Sequence, residues 1–309
     1  MSVSGAVAEI TNQTAFFARH ETFHPRFGWL KKGFDAVNMT SDIFASSDAH
    51  ITLGVGKNMA AAIRYWCSAF KVIDKQRGES KNSASYETTD FGSNLLADDG
   101  WDPWLENSAS LWLLHWSLLK TPCFATAWQF VFNEFHKMEF AAEDIFSELA
   151  GYCDKLQLKV ADSSLQKDLL CILRMYSEQP HKNFSGEESL DCPFVELGLI
   201  QKFGDSKYYQ FRQGANLNLP SAVIVATALD YLAEIAPGQK TVSISSLLYS
   251  AGSPGLVLKL SENSLCAAIE EIGENSLSVS LTDSAGLVQM SCFGNPSEMS
   301  QTILDGYYG

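Results

Sequence analysis

Apolar residues recur along much of this chain at i, i+3, i+4 and i+7, the spacing of helices that bury one face. In the N-terminal third the pattern predicts a helix over residues 29–37, a short second helix over 42–45 and a long one over 58–74. The long helix carries Met59, Ile63, Trp66, Cys67, Phe70 and Ile73 on its apolar face. A polar loop over 77–90 then leads into a short strand and the next helix. The middle of the chain, 108–178, reads as helical. Phe124, Ala127, Trp128, Val131, Phe132 and Phe135 form one stripe there. Ile145, Phe146, Leu149 and Tyr152 form a second, and Leu165, Leu169, Ile172, Leu173 and Tyr176 a third. These aromatic stripes are core faces rather than a cofactor box. After a polar break over 179–189, a helix runs from Pro220 to Ile235 and stops at Pro237-Gly238. A short strand at 241–244, a short helix at 245–250, a Ser-Pro-Gly turn and a helix over 261–272 follow. A hairpin of 277–281 against 286–291 closes the series.

The element order predicts a mainly α, α+β protein in three parts. Residues 1–96 form a basic winged-helix-like module that binds DNA, 97–180 a helical domain, and 190–309 an acidic winged-helix-like domain. Charge sharpens that division. The 309 residues carry a formal net charge of −14, but unevenly. Residues 1–82 hold ten Lys/Arg against seven Asp/Glu, whereas 83–309 hold twelve against 29. The overall sign excludes a nucleic-acid coat protein and leaves a basic module on an acidic body. The helix at 261–272 and its C-terminal end carry Glu262, Glu270, Glu271 and Glu274 and no cation. That helix would repel phosphate, so the C-terminal unit is expected to pack against protein. No apolar run reaches 18 residues and no basic segment precedes an apolar one at the N-terminus, so neither a membrane span nor a secretory signal is expected. Seven cysteines without a CxxC pair read as reduced thiols of a cytoplasmic protein.

The densest polar chemistry lies in Arg19–Lys32, RHETFHPRFGWLKK. His20-Glu21-Thr22-Phe23-His24 matches HExxH, the zinc-peptidase pattern, which needs both imidazoles on one helical face. Pro25 pushes its predecessor out of the helical region, and Arg19 and Arg26 flank the motif, so a zinc site is not expected. The same segment reads better as anion-facing. Arg19, His20, His24, Arg26, Lys31 and Lys32 interleave with Phe23, Phe27 and Trp29, cations for phosphates and rings for packing or stacking. A phosphodiester-cleaving site would use a histidine as acid or base and an arginine on the transition-state charge. The bland alternative is a basic helix entry whose aromatics are core. Lys57, Arg64 and Lys71 recur every seven residues and would form one cationic stripe on the long helix. LGVGKN, with Lys57 and Asn58, lacks the first glycine and the Ser/Thr of a nucleotide loop, so no nucleotide cofactor is expected. Asp98, Asp99, Asp102 and Glu106 have the density for Mg²⁺ but also read as turn and capping chemistry, the preferred reading. Mg²⁺ is the expected cofactor of the cleavage chemistry, with no ligand set assigned.

FARHETFHPRFGWLKKGFDAV, LGVGKNMAAAIRYWC and DDGWDPWLENSASLWLLHW, followed by DCPFVELGLI, the Ser-Pro-Gly turn and DSAGLVQM, occur here in fixed order. Together they resemble a bacterial family of domains of unknown function, one that includes the nickase of single-stranded DNA-phosphorothioation defence systems. The resemblance spans nearly the whole chain. It implies a protein that binds duplex DNA and nicks one strand, so that other proteins of the system can exchange a non-bridging oxygen for sulfur. On the matching segments it points to Arg19, His20, Glu21 and His24 as catalytic, and to Arg26, Lys57, Asn58 and Arg64 as DNA-binding. Lys31, Lys32 and Lys71 join the DNA-binding set from charge alone. The second reading is a non-catalytic DNA-binding adaptor whose acidic body docks a modification enzyme.

Overall fold

A computed structural model describes residues 15–76, 85–178, 192–204, 206–214, 218–276, 278–284 and 286–309. The first helices are α1 (Trp29–Met39), a 3-10 turn (Ile43–Ala45), α2 (Ala49–Thr52) and α3 (Lys57–Ala69). Strands β1 (Ile73–Lys75) and β2 (Tyr86–Thr88) pair antiparallel, and α4 (Asp90–Leu96) follows. The middle holds α5 (Ser108–Leu119), α6 (Thr126–Asn133), β3 (Glu139–Ala141), α7 (Ala142–Lys155) and α8 (Asp162–Tyr176). Next come a 3-10 turn (Pro193–Leu197), β4 (Ile200–Lys202) and β5 (Tyr208–Phe211). The last stretch is α9 (Ser221–Ile235), β6 (Thr241–Ser243), α10 (Ile244–Tyr249), α11 (Pro254–Val257), α12 (Glu262–Ser276), β7 (Val279–Ser284), β8 (Leu287–Cys292) and α13 (Pro296–Tyr308). Two three-stranded antiparallel sheets, in the orders β3-β5-β4 and β6-β8-β7, complete a mostly helical α+β fold.

Helix α5 explains how the parts share one core. Its sequence, SASLWLLHWSLL, is apolar on every side, and every residue from Ala109 to Leu119 is buried. A helix without a polar face must be surrounded. The buried side chains accordingly form one continuous cluster from Trp29 to Leu304. The turn before α5 is built by Asp102, whose carboxylate accepts from the N–H groups of Glu106 and Asn107 at 2.9 Å and from the Ser110 hydroxyl at 2.6 Å. That commits Asp102 to capping, as its sequence context suggested. His115 in α5 is also structural. Its Nε2 donates to the Val257 carbonyl at 3.0 Å and its Nδ1 accepts from the Tyr176 hydroxyl at 2.8 Å. Burial pushes its pKa down to about 3, so the ring is neutral.

Lys259 is the most exposed to consequence among the buried cations. Its ammonium lies 4.4 Å from the centre of the Phe211 ring and donates to the Phe132 carbonyl at 3.0 Å. Burial lowers its pKa to about 7, against 10.5 for a solvated lysine. Between those values the unfolded chain holds a proton that the folded chain has released. Stability must therefore rise with pH across that window, by up to about 1.4 kcal/mol per unit. Urea unfolding from pH 7 to 10 is expected to show wild type gaining on a Lys259→Met variant. Parallel curves would contradict the burial cost.

The structure departs from the sequence expectations in places with clear physical causes. The long helix predicted to reach residue 74 ends at Ala69. Lys71 adopts φ 58, and β-branched Val72 and Ile73 begin an extended segment, with Ile73 opposite Thr88 in the sheet. Phe70 and Ile73 matched the helical spacing, but the strand that captures Ile73 lies 13 residues further on. The Ser-Pro-Gly turn is the start of α11, with Ser253 as its cap. Strands β4 and β5 and helix α13 were not read from sequence. The predicted polar break at 179–189, most of the loop at 77–90 and Leu277 lie outside the described residues. None of the seven cysteines is disulfide-bonded, and six of them are buried. Among the described residues no helix is long and apolar enough to cross a membrane.

Candidate nucleic-acid interface and the basic strap

Residues 15–28 form an irregular strap across α3, α6 and α8 rather than a helix. Phe16 and Thr126 tie its beginning to α6, with Phe16 N–H donating to the threonine hydroxyl at 2.9 Å. Ala18 N–H donates to Oδ1 of Asp168 in α8 at 2.9 Å. The chain then reverses through Glu21 and Thr22, both at positive φ (50 and 67), closed by Phe23 N–H donating to the His20 carbonyl at 2.8 Å. Positive φ at both central residues is the geometry of a type I′ turn. The turn drops His20 into the protein and leaves Arg19 and Glu21 exposed on either side. Further along, the Trp66 indole N–H in α3 donates to the Phe23 carbonyl at 2.9 Å.

His20 is fully buried. Its Nε2 lies 2.8 Å from Asp168 Oδ1, and its ring stacks near Trp66 and meets Trp128 edge-on. Burial raises the Asp168 pKa against the opposing pull of the His20 contact and the Ala18 N–H. The other atoms of the pair, His20 Nδ1 and Asp168 Oδ2, have no hydrogen-bond partner among the described residues. The sequence reading placed His20 among the anion-facing, catalytic positions; the structure buries its ring and makes it an anchor of the strap. The turn also removes the helix on which HExxH would bind zinc, so the motif match is accidental. His24 is half-buried, and Arg26 lies over the rings of Phe23 and Trp29, at 5.6 and 5.4 Å from their centres.

The remaining expected positions divide sharply. Lys57 and Asn58 are exposed at the first turn of α3, and Arg64 lies two turns along on the same face, partly exposed. Lys32 is exposed but its ammonium donates to the Leu53 carbonyl at 2.9 Å. Lys31 is buried and sits between Asp35 and Asp98, each at 2.7 Å. Burial works against its charge, but the two carboxylates outweigh it and raise its pKa. Lys31 is thus an internal brace rather than a phosphate contact. Lys71 leaves the stripe because α3 ends before it; its ammonium turns inward to the Ser117 carbonyl. Of the residues that hold His20, Trp66 and Trp128 were read from sequence as core positions and Asp168 was not singled out. Asp168 was findable: it lies three residues after Leu165 and four before Ile172, on the apolar stripe of α8.

The sequence matches the family described as Protein of unknown function (DUF4007) over residues 17–308. Two solved structures are similar over 96% of this chain and 88% of their own length, each with a TM-score of 0.89. One is a magnesium ion-bound SspB crystal structure at 33% identity, the other an SspB crystal structure at 34%. No curated protein matches the sequence. The magnesium in one of these structures poses a direct question of fit. Among the described residues no three His, Cys, Asp or Glu side chains converge on one point. Asp102 is spent on capping, Asp98 pairs with Lys31, and Asp230 accepts from both Lys120 and Trp116 at 2.7 Å. Among the described residues there is thus no ready-made cage of three protein ligands for magnesium.

Proposed function

This chain belongs to the DUF4007 family, and from that premise we propose that it binds duplex DNA and nicks one strand within a bacterial phosphorothioation defence system. The observation that carries the reading is the likeness to SspB across almost the full chain at one-third identity. The exposed cations support it. Lys57 and Arg64 offer two phosphate contacts along α3, and the free N–H groups at its first turn favour an anion beside Asn58. Arg19 and Arg26 lie on the strap, and Phe27, next to Arg26 in the chain, is exposed. In this reading Arg19 neutralises charge on the phosphate in the transition state, and Glu21 and His24 hold or move protons. His20 is a positioning residue that acts through Asp168.

Fluorescence anisotropy at several salt concentrations tests the interface. Each phosphate contact adds about 0.9 to the steepness of log affinity against log salt. A Lys57→Ala, Arg64→Ala double variant is expected to flatten the slope by about 2 units on every duplex sequence. A Lys31→Ala variant is expected to leave the slope alone and lose stability instead. An unchanged slope in the folded double variant would remove α3 from the interface.

The adaptor reading rests on a different observation. Glu262, Glu270, Glu271 and Glu274 are all exposed along α12, a surface suited to a basic protein and not to DNA. It predicts duplex binding without cleavage.

A further inference from the structure

A cleft of about 500 Å³ opens where β1, α4, α5, α9 and α13 meet. Its volume falls in the range of small-ligand sites, roughly 300–1,000 Å³. None of the expected site residues except Lys71 lines it. Phe91, Trp101, Trp116 and Phe124 are among the residues that line it. Lys71 points its ammonium into the wall between α3 and α5, and the Ser117 carbonyl is its one hydrogen-bond acceptor among the described residues. An ammonium has three donors, so two remain for a guest.

The charges of the cleft select the kind of guest. Lys120 is neutralised by Asp230, at 2.7 Å. That leaves Lys71 as the cation and Asp74 and Asp90 as the carboxylates among the other residues that line the space. A phosphate would meet more negative than positive charge there. A neutral planar group with acceptors for Lys71 and N–H donors for the carboxylates would be matched, and would lie beside aromatic rings. A nucleobase edge has that pattern. Ser68 lines the cleft and lies one helical turn beyond Arg64, on the face of α3 that carries Lys57.

Resting on the DNA-binding reading above, we propose that this cleft takes one unstacked nucleobase from a strand whose phosphates lie along Lys57 and Arg64. The phosphates stay outside on the cations, and the base enters a space whose carboxylates exclude them. Unstacking one base is unfavourable, and contacts with the lining rings and Lys71 offset it. Lys71 then acts on the base, not on the backbone.

Photocrosslinking with duplexes carrying 5-iododeoxyuridine in place of thymidine tests this, with adducts mapped by mass spectrometry and binding followed by anisotropy. Wild type is expected to crosslink at Phe91, Trp101, Trp116 or Phe124. Lys71→Met removes the donor, and Asn94→Phe fills the cleft from α4. Each is expected to lower those adducts about tenfold while duplex still binds with the wild-type salt slope. Adducts confined to other peptides, no adducts at saturating DNA, or adducts undiminished in Asn94→Phe would overturn the proposal while the DNA reading stands. A duplex that produces no anisotropy change overturns the DNA reading itself, and the base-binding cleft with it.

Discussion

Replacing Asp168 by alanine is expected to destabilise the protein by about 3–5 kcal/mol, the cost of orphaning its buried hydrogen-bond partners and leaving a space on an apolar face. Three consequences follow from one deletion. His20 Nε2 loses its contact at 2.8 Å, Ala18 N–H loses its acceptor at 2.9 Å, and a space opens on the apolar face of α8. The His20 ring is fully buried and the Ala18 N–H partly so, and an unsatisfied buried group costs about 1–3 kcal/mol within that total. The strap has few other anchors, so the left-handed turn at Glu21 and Thr22 is expected to be released with it. Asp168→Asn keeps an acceptor in place and is expected to cost less. Urea unfolding followed by tryptophan fluorescence reads the change directly, because Trp66 and Trp128 flank the pair. An Asp168→Ala variant of unchanged stability but without nicking would make the pair a catalytic dyad instead of a tie.

Gly92→Ala is the second large effect, and its sign is opposite to intuition. Alanine is the better helix former by about 1 kcal/mol, and Gly92 lies within α4. A Cβ there, however, would lie 2.1 Å from the Val72 carbonyl oxygen and 2.9 Å from its Cα. Those are backbone atoms of the segment leading into β1, and they cannot yield without moving the strand. The two segments are also latched, since Thr89 donates from its hydroxyl to the Lys71 carbonyl at 2.6 Å and from its N–H to the Val72 carbonyl at 3.2 Å. The expected loss is about 3 kcal/mol, at the upper end of overpacking costs. It carries a functional mark, because α4 would shift off Lys71 and spoil the cleft. Gly151 in α7 is the internal control, with nothing within 4 Å of a built Cβ. Gly151→Ala is expected to gain about 0.5–1 kcal/mol. Equal Tm values for the two variants would contradict the packing described.

What was legible in the sequence was local. Helices α1, α6, α8 and α9 followed from apolar spacing, caps and prolines within their own residues. The strap was not legible, because its shape is set by partners 110 to 150 residues away, Thr126 and Asp168. Cations could be counted but not sorted. Lys31 and Lys57 look alike in a charge tally, yet one is buried and paired with the surface carboxylates of Asp35 and Asp98 while the other faces solvent. The pairing of Lys31 with Asp35 four residues on was a usable sign, and Asp98 was not. The cleft assembles residues from Ser68 to Leu304, a non-local space that no motif announces.

The central claim is that this chain cuts one strand of a duplex. Supercoiled plasmid, incubated with the protein in magnesium buffer and in chelator and resolved on agarose, tests it most directly. The account predicts accumulation of open circles without linear DNA, greatly slowed by Glu21→Gln and His24→Gln in variants that still bind. Plasmid that stays supercoiled in both buffers, with duplex binding shown by anisotropy on the same preparation, would contradict it.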